Sequence, residues 1–380
     1  MMRLWGRVLG PVVLLPVLVF GGVALFGTTR VEPESWTPPV APPVDSGPYA
    51  PSVPLTQAQV FGQDNLFQAE ALALGPDGKL YAGLANGDIV RMQPDHLNQT
   101  DKPQTAPHEL VVNTGGRPFG MAFHPNGLLI VADGAKGLLS VDVSGENTTN
   151  RNPIEVLSTA SDGVDFRFTN DVALSADGRY AYFTDASHKF GVKEFVLDLL
   201  EHRGNGRFLE YDFETGKTRT LIGNLQFANG VEMSPKGDFV LINETGMYQI
   251  RRYWLKGPKA GKYDVLIDNL PGFPDNIRAD SAGNFWIALP SLRDGLIDGL
   301  ADRPAVRKAV GRLLEVIEFP VKPCVFILAV NAQGEIKANL QAEKVNGFYY
   351  VTQVTPVGRD LFLSSVTVKG IAKVPNPLLK

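Results

Sequence analysis

Four oxygen-bearing side chains recur at one offset in this sequence. Glu70, Asn170, Asn229 and Asp275 each lie eight residues before a glycine of a turn, at Gly78, Gly178, Gly237 and Gly283. Two carboxylates and two amide carbonyls are hard oxygen donors, the kind Ca²⁺ takes in preference to thiolate or imidazole. A single Asn before a strand is ordinarily a turn residue and a single Glu a solvated charge. Turn chemistry gives no reason for acids and amides to share an offset, so the four read as a set. Two further copies carry Phe119 and Tyr350 (or, shifted by one, Val351) there, with no carboxylate or amide to offer.

The element that repeats around these residues is an apolar run, a tight turn on Gly, and a second apolar-aromatic run. Its copies are LALGPDGKLYAG, MAFHPNGLLIVA, VALSADGRYAYF, VEMSPKGDFVLI, IRADSAGNFWIA and VTQVTPVGRDLFL. Each reads as a β-hairpin, and a strand repeat of roughly 50 residues is the spacing of propeller blades. The fold class is therefore all-β, a six-bladed β-propeller. In such a fold the first strand of each blade lines the central channel, so residues opening four of those strands converge near the axis. Leu55 to Gly62 supplies a strand able to complete the last blade and close the ring, which leaves no free sheet edge.

Strand direction places the insertions. If the converging residues mark the top, each second strand returns upward and whatever follows it lies on the site face. SHKFGVKEFVLDLLEHRGNG and SLRDGLIDGLADRPAVRKAVGRLLEVIEF occupy that place in blades three and five. Both have helical apolar spacing, at Phe195, Val196, Leu199 and Leu200 and at Val306, Val310, Leu313 and Leu314, so they read as helical lids.

The start of the chain differs in kind. Val8 to Phe26 is nearly all apolar, long enough at about 1.5 Å per residue to cross a bilayer core. Arg3 and Arg7 precede it, which favours a cytoplasmic N-terminus and an exported body. The expected organisation is a membrane anchor at 1–30, with signal cleavage and secretion as the alternative, a Pro-rich linker at 31–54 that holds the domain off the membrane, and the propeller at 55–380. Asn98, Asn147 and Asn243 open Asn-x-Thr triplets, the acceptor pattern for glycosylation. Against 40 acidic residues stand 36 scattered basic ones, a net charge of −4, which excludes a nucleic-acid surface. The lone Cys324 permits no internal disulfide and reads as a small buried hydrophobe.

There is no nucleophile elbow, phosphate loop, HExxH or paired-Cys zinc spacing. His124 falls at a bottom turn, whereas His188 lies in a lid within reach of the site. The strings RPFGMAFHPNGLLIVADGAKGLL, FTNDVALSADG, QFANGVEMSPKGDFVLINET, RYWLKGPKAGKYDVLIDNLPGFPDNIR and NFWIALPS resemble strictosidine-synthase-like proteins. These belong to the broader gluconolactonase and paraoxonase group of six-bladed propellers, and the resemblance runs from about Gln59 to Val374. It implies a calcium ion in the central channel. Hydrolytic members of the group hold it with a Glu, two Asn and an Asp, which carries over to Glu70, Asn170, Asn229 and Asp275, with Asn276 adjacent as a further ligand.

Two departures narrow what the resemblance implies. Plant strictosidine synthases use a Glu opening the sixth inner strand, and Asn346 to Gly358 contains no acid. Paraoxonases carry a His after Pro in blade two, where this chain has Phe119. The expected function is then Ca²⁺-dependent hydrolysis of a small hydrophobic ester or lactone. Asp275 is ligand and candidate base or nucleophile, and Asp171 a second candidate base. The alternatives are a non-catalytic binding propeller with a structural metal, or a condensing enzyme of the synthase type.

Overall fold

The computed structural model describes residues 22–55, 58–95, 105–145, 152–317 and 322–379. Its strands form six sheets around an axis. Blade one contains Leu72–Leu74, Leu80–Gly83, Asp88–Met92 and Glu109–Asn113; blade two Pro118–Phe123, Leu129–Asp133, Gly137–Val141 and Ile154–Ser158. Blade three contains Thr169–Leu174, Tyr180–Asp185, Gly206–Asp212 and Lys217–Leu225; blade four Ala228–Met233, Phe239–Glu244, Gln249–Trp254 and Tyr263–Ile267. Blade five has Ile277–Ala279, Phe285–Ala288, Val325–Val330 and Ile336–Ala342, and blade six Val351–Val357, Asp360–Ser365 and Ile371–Pro375. The ring closes as the sequence predicts: Gln59–Phe61 pairs antiparallel with Ile371–Pro375.

All six repeat glycines have positive φ, from 58° at Gly358 to 90° at Gly127. That left-handed conformation is what the hairpin turns need and what a side chain resists. Between blades, the apolar faces of neighbouring sheets interlock. Tyr182 and Phe208 of blade three meet Val240 and Ile242 of blade four, and Trp286 and Ile327 of blade five meet Val354 and Leu363 of blade six. Each such side chain contributes about 1.5–3 kcal/mol of burial, and none can be buried by one blade alone.

Residues 31–54 do not form the free spacer expected of a Pro-rich stretch. They run as a strap across the propeller. Val31 is fully buried between Phe190 and Leu197, the Glu32 and Glu34 amides donate to Glu201 (2.7 and 3.0 Å), and Trp36 stacks on His202 with ring centroids 4.0 Å apart. Further on, Asn339 and Gln341 donate to the Tyr49 carbonyl (2.6 and 2.7 Å), and Val53–Pro54 adds a parallel strand to the edge of blade five. Proline cannot donate to a ladder, but its carbonyl still accepts; Pro39 receives Arg293 in this way.

The proposed transmembrane segment lies mostly outside the described residues, since 1–21 are among those not described. Residues 22–26 are helical, and Arg312 donates to the carbonyls of Ala24 and Leu25 (2.8 and 3.2 Å). No helix among the described residues is long and apolar enough to cross a membrane.

Both insertions are helical, with Phe195–Glu201 between the second and third strands of blade three and Gly295–Gly299 and Pro304–Leu314 between those of blade five. The predicted apolar stripes form only part of their buried faces, with Leu199, Leu200 and Leu314 packed inward. Phe195, Val196 and Val306 are exposed, while Leu197, Arg307 and Gly311 are buried. Arg307 explains the difference, because its guanidinium gathers the carbonyls of Glu34, Ala301 and Leu200 where helix, strap and helix meet. A purely apolar stripe would have left those acceptors unpaired.

Candidate functional site

The inner strands do not enter the channel smoothly. Pairing with the second strand slips between Pro118 and Gly120, between Thr169 and Val172, between Ala228 and Val231, and between Val351 and Gln353. In a regular strand consecutive side chains point to opposite faces. A bulge breaks that alternation and re-aims a side chain. Gln68, Phe227 and Tyr350, each two residues before the turning point of its blade, take positive φ of 50°, 60° and 55°. The chain thus enters three blades through a conformation that non-glycine residues seldom adopt.

Those entries bury five polar side chains at the mouths of four blades. Glu70 is 4 % exposed, Asn170 2 %, Asn229 4 % and Asn276 0 %, and Asp275 is half-buried. Their oxygens lack partners: Glu70 Oε2, Asn170 Oδ1, Asn229 Oδ1 and Asn276 Oδ1 make no hydrogen bond. Buried polar atoms are almost always paired, so three unpaired oxygens at equivalent points of one ring, with a fourth on Asn276 beside Asp275, call for a ligand. Among the described residues no group of three or more His, Cys, Asp and Glu forms a metal cluster. The donor set here is instead mixed carboxylate and amide oxygen, which suits a hard cation such as Ca²⁺.

Electrostatics show two acids whose charge the surroundings do not offset. Burial pushes the Asp275 carboxyl up to about 8, against the hydrogen bond from Asn229, and the Asp171 charge raises it further. Burial, then the neighbouring Asp275 charge, hold Glu70 well above the usual carboxylate range, with Arg117 opposing. Burial and the charges of Asp275 and Glu70 likewise raise the Tyr350 phenol, which puts Tyr350 beside both acids. Tyr350 offers neither carboxylate nor amide at that offset and so lies outside the sequence-derived set.

The ring is held from behind by a repeated device that the sequence reading missed. Thr184 Oγ1 donates to the Asn229 carbonyl (2.6 Å), Asn243 Nδ2 to the Asp275 carbonyl (2.5 Å) and Ser364 Oγ to the Glu70 carbonyl (2.5 Å). Each donor sits at the same point of the second strand of the preceding blade. Blades one, two and five have only small residues there, Gly83, Ala132 and Ala288. Polar residues among glycine and alanine at one repeat position were the available signal. Asn243 is fully buried and its amide engaged, so its triplet cannot serve as a glycosylation acceptor in the folded chain. Asn98 and Asn147 lie outside the described residues.

Asp171 does not face the ring as a free base. It is fully buried, and Arg278, from blade five, donates to both of its oxygens at 2.7 Å. The amides of Val172 and Val231 donate at 2.9 and 2.8 Å. Four donors use the lone-pair sites of a carboxylate, leaving none for a proton in flight. Below the pair, burial pushes Glu232 up to about 8, opposed by Arg278. Gly120 explains how the pair fits, since a Cβ there would lie 2.4 Å from Asp171 Oδ1.

Above the ring stands an aromatic wall. Phe119, Phe168 and Phe227 pack edge or tilted on one another at 4.9 and 5.6 Å, with Val192 and Leu199 of the lid insertion against them. Phe168 and Phe227 each precede a ring Asn by two residues, which fixes the wall on the site face. Among the described residues, neither His124 nor His188 takes part. His124 bonds the Gly178 carbonyl (2.6 Å) and His188 the Asn205 carbonyl (2.7 Å). Burial, then Arg307, push His202 down to about 3. Cys324 is half-buried, and burial pushes its thiol up to about 11.

The chain has known relatives. Residues 170–258 match the strictosidine synthase family and residues 47–92 the family of strictosidine synthase-like N-terminal segments. The chain is 33% identical over 335 residues to the adipocyte plasma membrane-associated protein of Bos taurus, covering 85% of this chain and 80% of the bovine one. Among solved structures, a gluconolactonase of Xanthomonas campestris superimposes with a TM-score of 0.56 at 13% identity, covering 84% of this chain and 89% of that one. The calcium-binding regucalcin of Agrobacterium tumefaciens does so with a TM-score of 0.57 at 13% identity, covering 84% and 94%. At such identities the structural likeness speaks for the fold, whereas the bovine relative speaks for descent. The chain is a six-bladed propeller of the strictosidine-synthase-like family.

Proposed function

We propose that the protein is a Ca²⁺-dependent hydrolase of esters or lactones, working at the mouth of the central channel. The observation that carries this reading is the ring of buried, unpartnered oxygens at Glu70, Asn170, Asn229 and Asn276 beside Asp275. These five residues would hold the cation, which supplies Lewis acidity toward a carbonyl or phosphoryl oxygen. Asp275, the ring carboxylate of blade five, is the base. It takes a proton from the attacking water and returns it to the leaving oxygen. The aromatic wall of Phe119, Phe168 and Phe227 receives the apolar part of the substrate and keeps bulk water from the ring. Asp171, saturated by Arg278 and two amides, stiffens the channel and has no chemical step. Condensation of the synthase type lacks its acid, since Tyr350 stands at the sixth entry.

The relatives named for the plasma membrane support placing the chain at a membrane, with the N-terminal apolar run as anchor and the propeller on the exported side. The deciding experiment is a screen of the full chain in mild detergent against lactones and aryl esters, with Ca²⁺ or with chelator. Turnover that chelation abolishes and Ca²⁺ restores supports the reading. Asp275→Asn should then retain weak metal binding and lose turnover by about 10²–10⁴-fold. A metal-stabilised protein that hydrolyses no ester or lactone is a binding propeller instead.

A further inference from the structure

Blade two gives the ring no oxygen, and what it gives in place of one is a cation. Arg117 lies one residue before the inner strand Pro118–Phe123, its guanidinium 5.0 Å over the Phe119 ring. Its Nη2 stands 3.8 Å from Glu70 Oε2, too far for a hydrogen bond. Both Nε and Nη2 are buried and make no hydrogen bond at all. These two nitrogens form the edge of the guanidinium that meets a carboxylate or phosphate with two parallel N–H donors. Two other buried arginines have that edge occupied: Arg207 uses it on Asp185 and Arg293 on Asp298.

Charge points the same way. Asp171 and Arg278 neutralise one another, so the charged groups at the mouth are Glu70, Asp275 and Arg117. With both acids committed to a divalent cation, the mouth keeps an excess of one positive charge in a water-poor site. A bound anion removes it. Glu70 cannot supply the missing acceptors, because its free oxygen belongs to the ring and lies beyond hydrogen-bond reach of Arg117.

We infer that Arg117 is an anion-recognising residue of the channel mouth and that the substrate class is an ester or lactone bearing a carboxylate. The carboxylate seats on the Nε–Nη2 edge, and the apolar body lies along Phe119, Phe168 and Phe227. This names the substrate class for the hydrolase proposed above and rests on that reading for turnover, though not for binding.

The test pairs two esters and one probe. The full chain with Ca²⁺ is assayed on 4-nitrophenyl hemiglutarate and on neutral 4-nitrophenyl butyrate, and glutarate and inorganic phosphate binding are measured by calorimetry. The parent should favour the anionic ester, and Arg117→Gln should collapse the ratio of kcat/KM values, anionic over neutral, by about 30-fold or more. Arg117→Lys, which keeps the charge without the fork, should fall between them. Glutarate should bind the parent at least about 10-fold more tightly than Arg117→Gln, and Ca²⁺ affinity should not fall in the variant, since a cation beside Glu70 has been removed. If neither ester is hydrolysed but glutarate still binds through Arg117, the hydrolase reading fails and the anion site stands. Equal loss on both esters together with weaker Ca²⁺ binding would show Arg117 to be a positioning residue for Glu70 and overturn the inference. Phosphate binding in place of glutarate would correct the substrate class, and binding of neither probe overturns the site.

Discussion

Breaking the Asp171–Arg278 pair separates a structural acid from a catalytic one. The variant is Arg278→Met, which keeps much of the side-chain volume and removes both donors to Asp171. Asp171 is fully buried and Arg278 only 11% exposed on its side chain. Arg278 also donates to Gln353 Oε1 (3.1 Å), so blades three, five and six meet at this guanidinium. Removing one partner of such a buried pair leaves an uncompensated charge and costs about 3–5 kcal/mol. In a body of this size that corresponds to a fall in Tm of roughly 4–8 °C. Adding Asp171→Asn to Arg278→Met removes the stranded charge and should recover about 2 kcal/mol or more, a coupling that adjacent groups show and distant ones do not. The assay is thermal and denaturant unfolding of the four proteins of this cycle, with turnover measured below the transition. A loss under 1 kcal/mol in Arg278→Met would refute the argument. So would an Asp171→Asn protein that is as stable as the parent and has lost turnover by orders of magnitude, because Asp171 would then be the base.

Other outcomes follow from the same geometry. In the metal-free protein Glu70 and Asp275 keep protons that the unfolded chain sheds above pH about 4; the folded pKa of Asp275 is about 8. Their contribution to metal-free stability is therefore present in acid and lost as pH rises from about 4 to about 8, and saturating Ca²⁺ should abolish that decline in a series of melts across this range. Ser364→Ala and Thr184→Val should weaken Ca²⁺ binding by about 10-fold or more with a small change in metal-free Tm, and Ser364→Thr should restore it; equal affinities in all three would show the carbonyls need no holding. Limited proteolysis should spare residues 31–54 in the parent and cut them in Val31→Asp, whose buried position cannot accept an unpaired charge; early cleavage of the parent in the strap would contradict its packing.

Much of this was legible because a propeller repeats itself. A shared offset in the sequence becomes a shared place in space, so Glu70, Asn170, Asn229 and Asp275 could be grouped before any coordinates. Closure by Gln59–Phe61 and the helical insertions on the site face followed from strand direction. What stayed hidden depends on contacts between blades. Asp171 and Arg278 lie 107 residues apart in the chain, and nothing local to either one announces a bond across the axis. The adjacency of Asp171 to Asn170 misleads for a related reason, since a bulge lets two neighbours face the channel with different tasks. The strap misled through composition: eight prolines signal extended chain, and extended chain packs as readily as it spans. Arg307 likewise sets a polar knot into an apolar stripe, which periodicity cannot anticipate.

The strap also decides how the molecule meets a pull. A force applied at the N-terminus reaches residues 31–36 first, where it must shear a row of bonds to Glu201, Ala301 and Arg307 together. It next meets the parallel pairing of Val53–Pro54 with Leu340 and Gln341, and only then the strand Gln59–Phe61 that closes the ring. The closing strand is thus insulated from an N-terminal pull by two clamps in series. A propeller held by that end can be tugged without being unzipped.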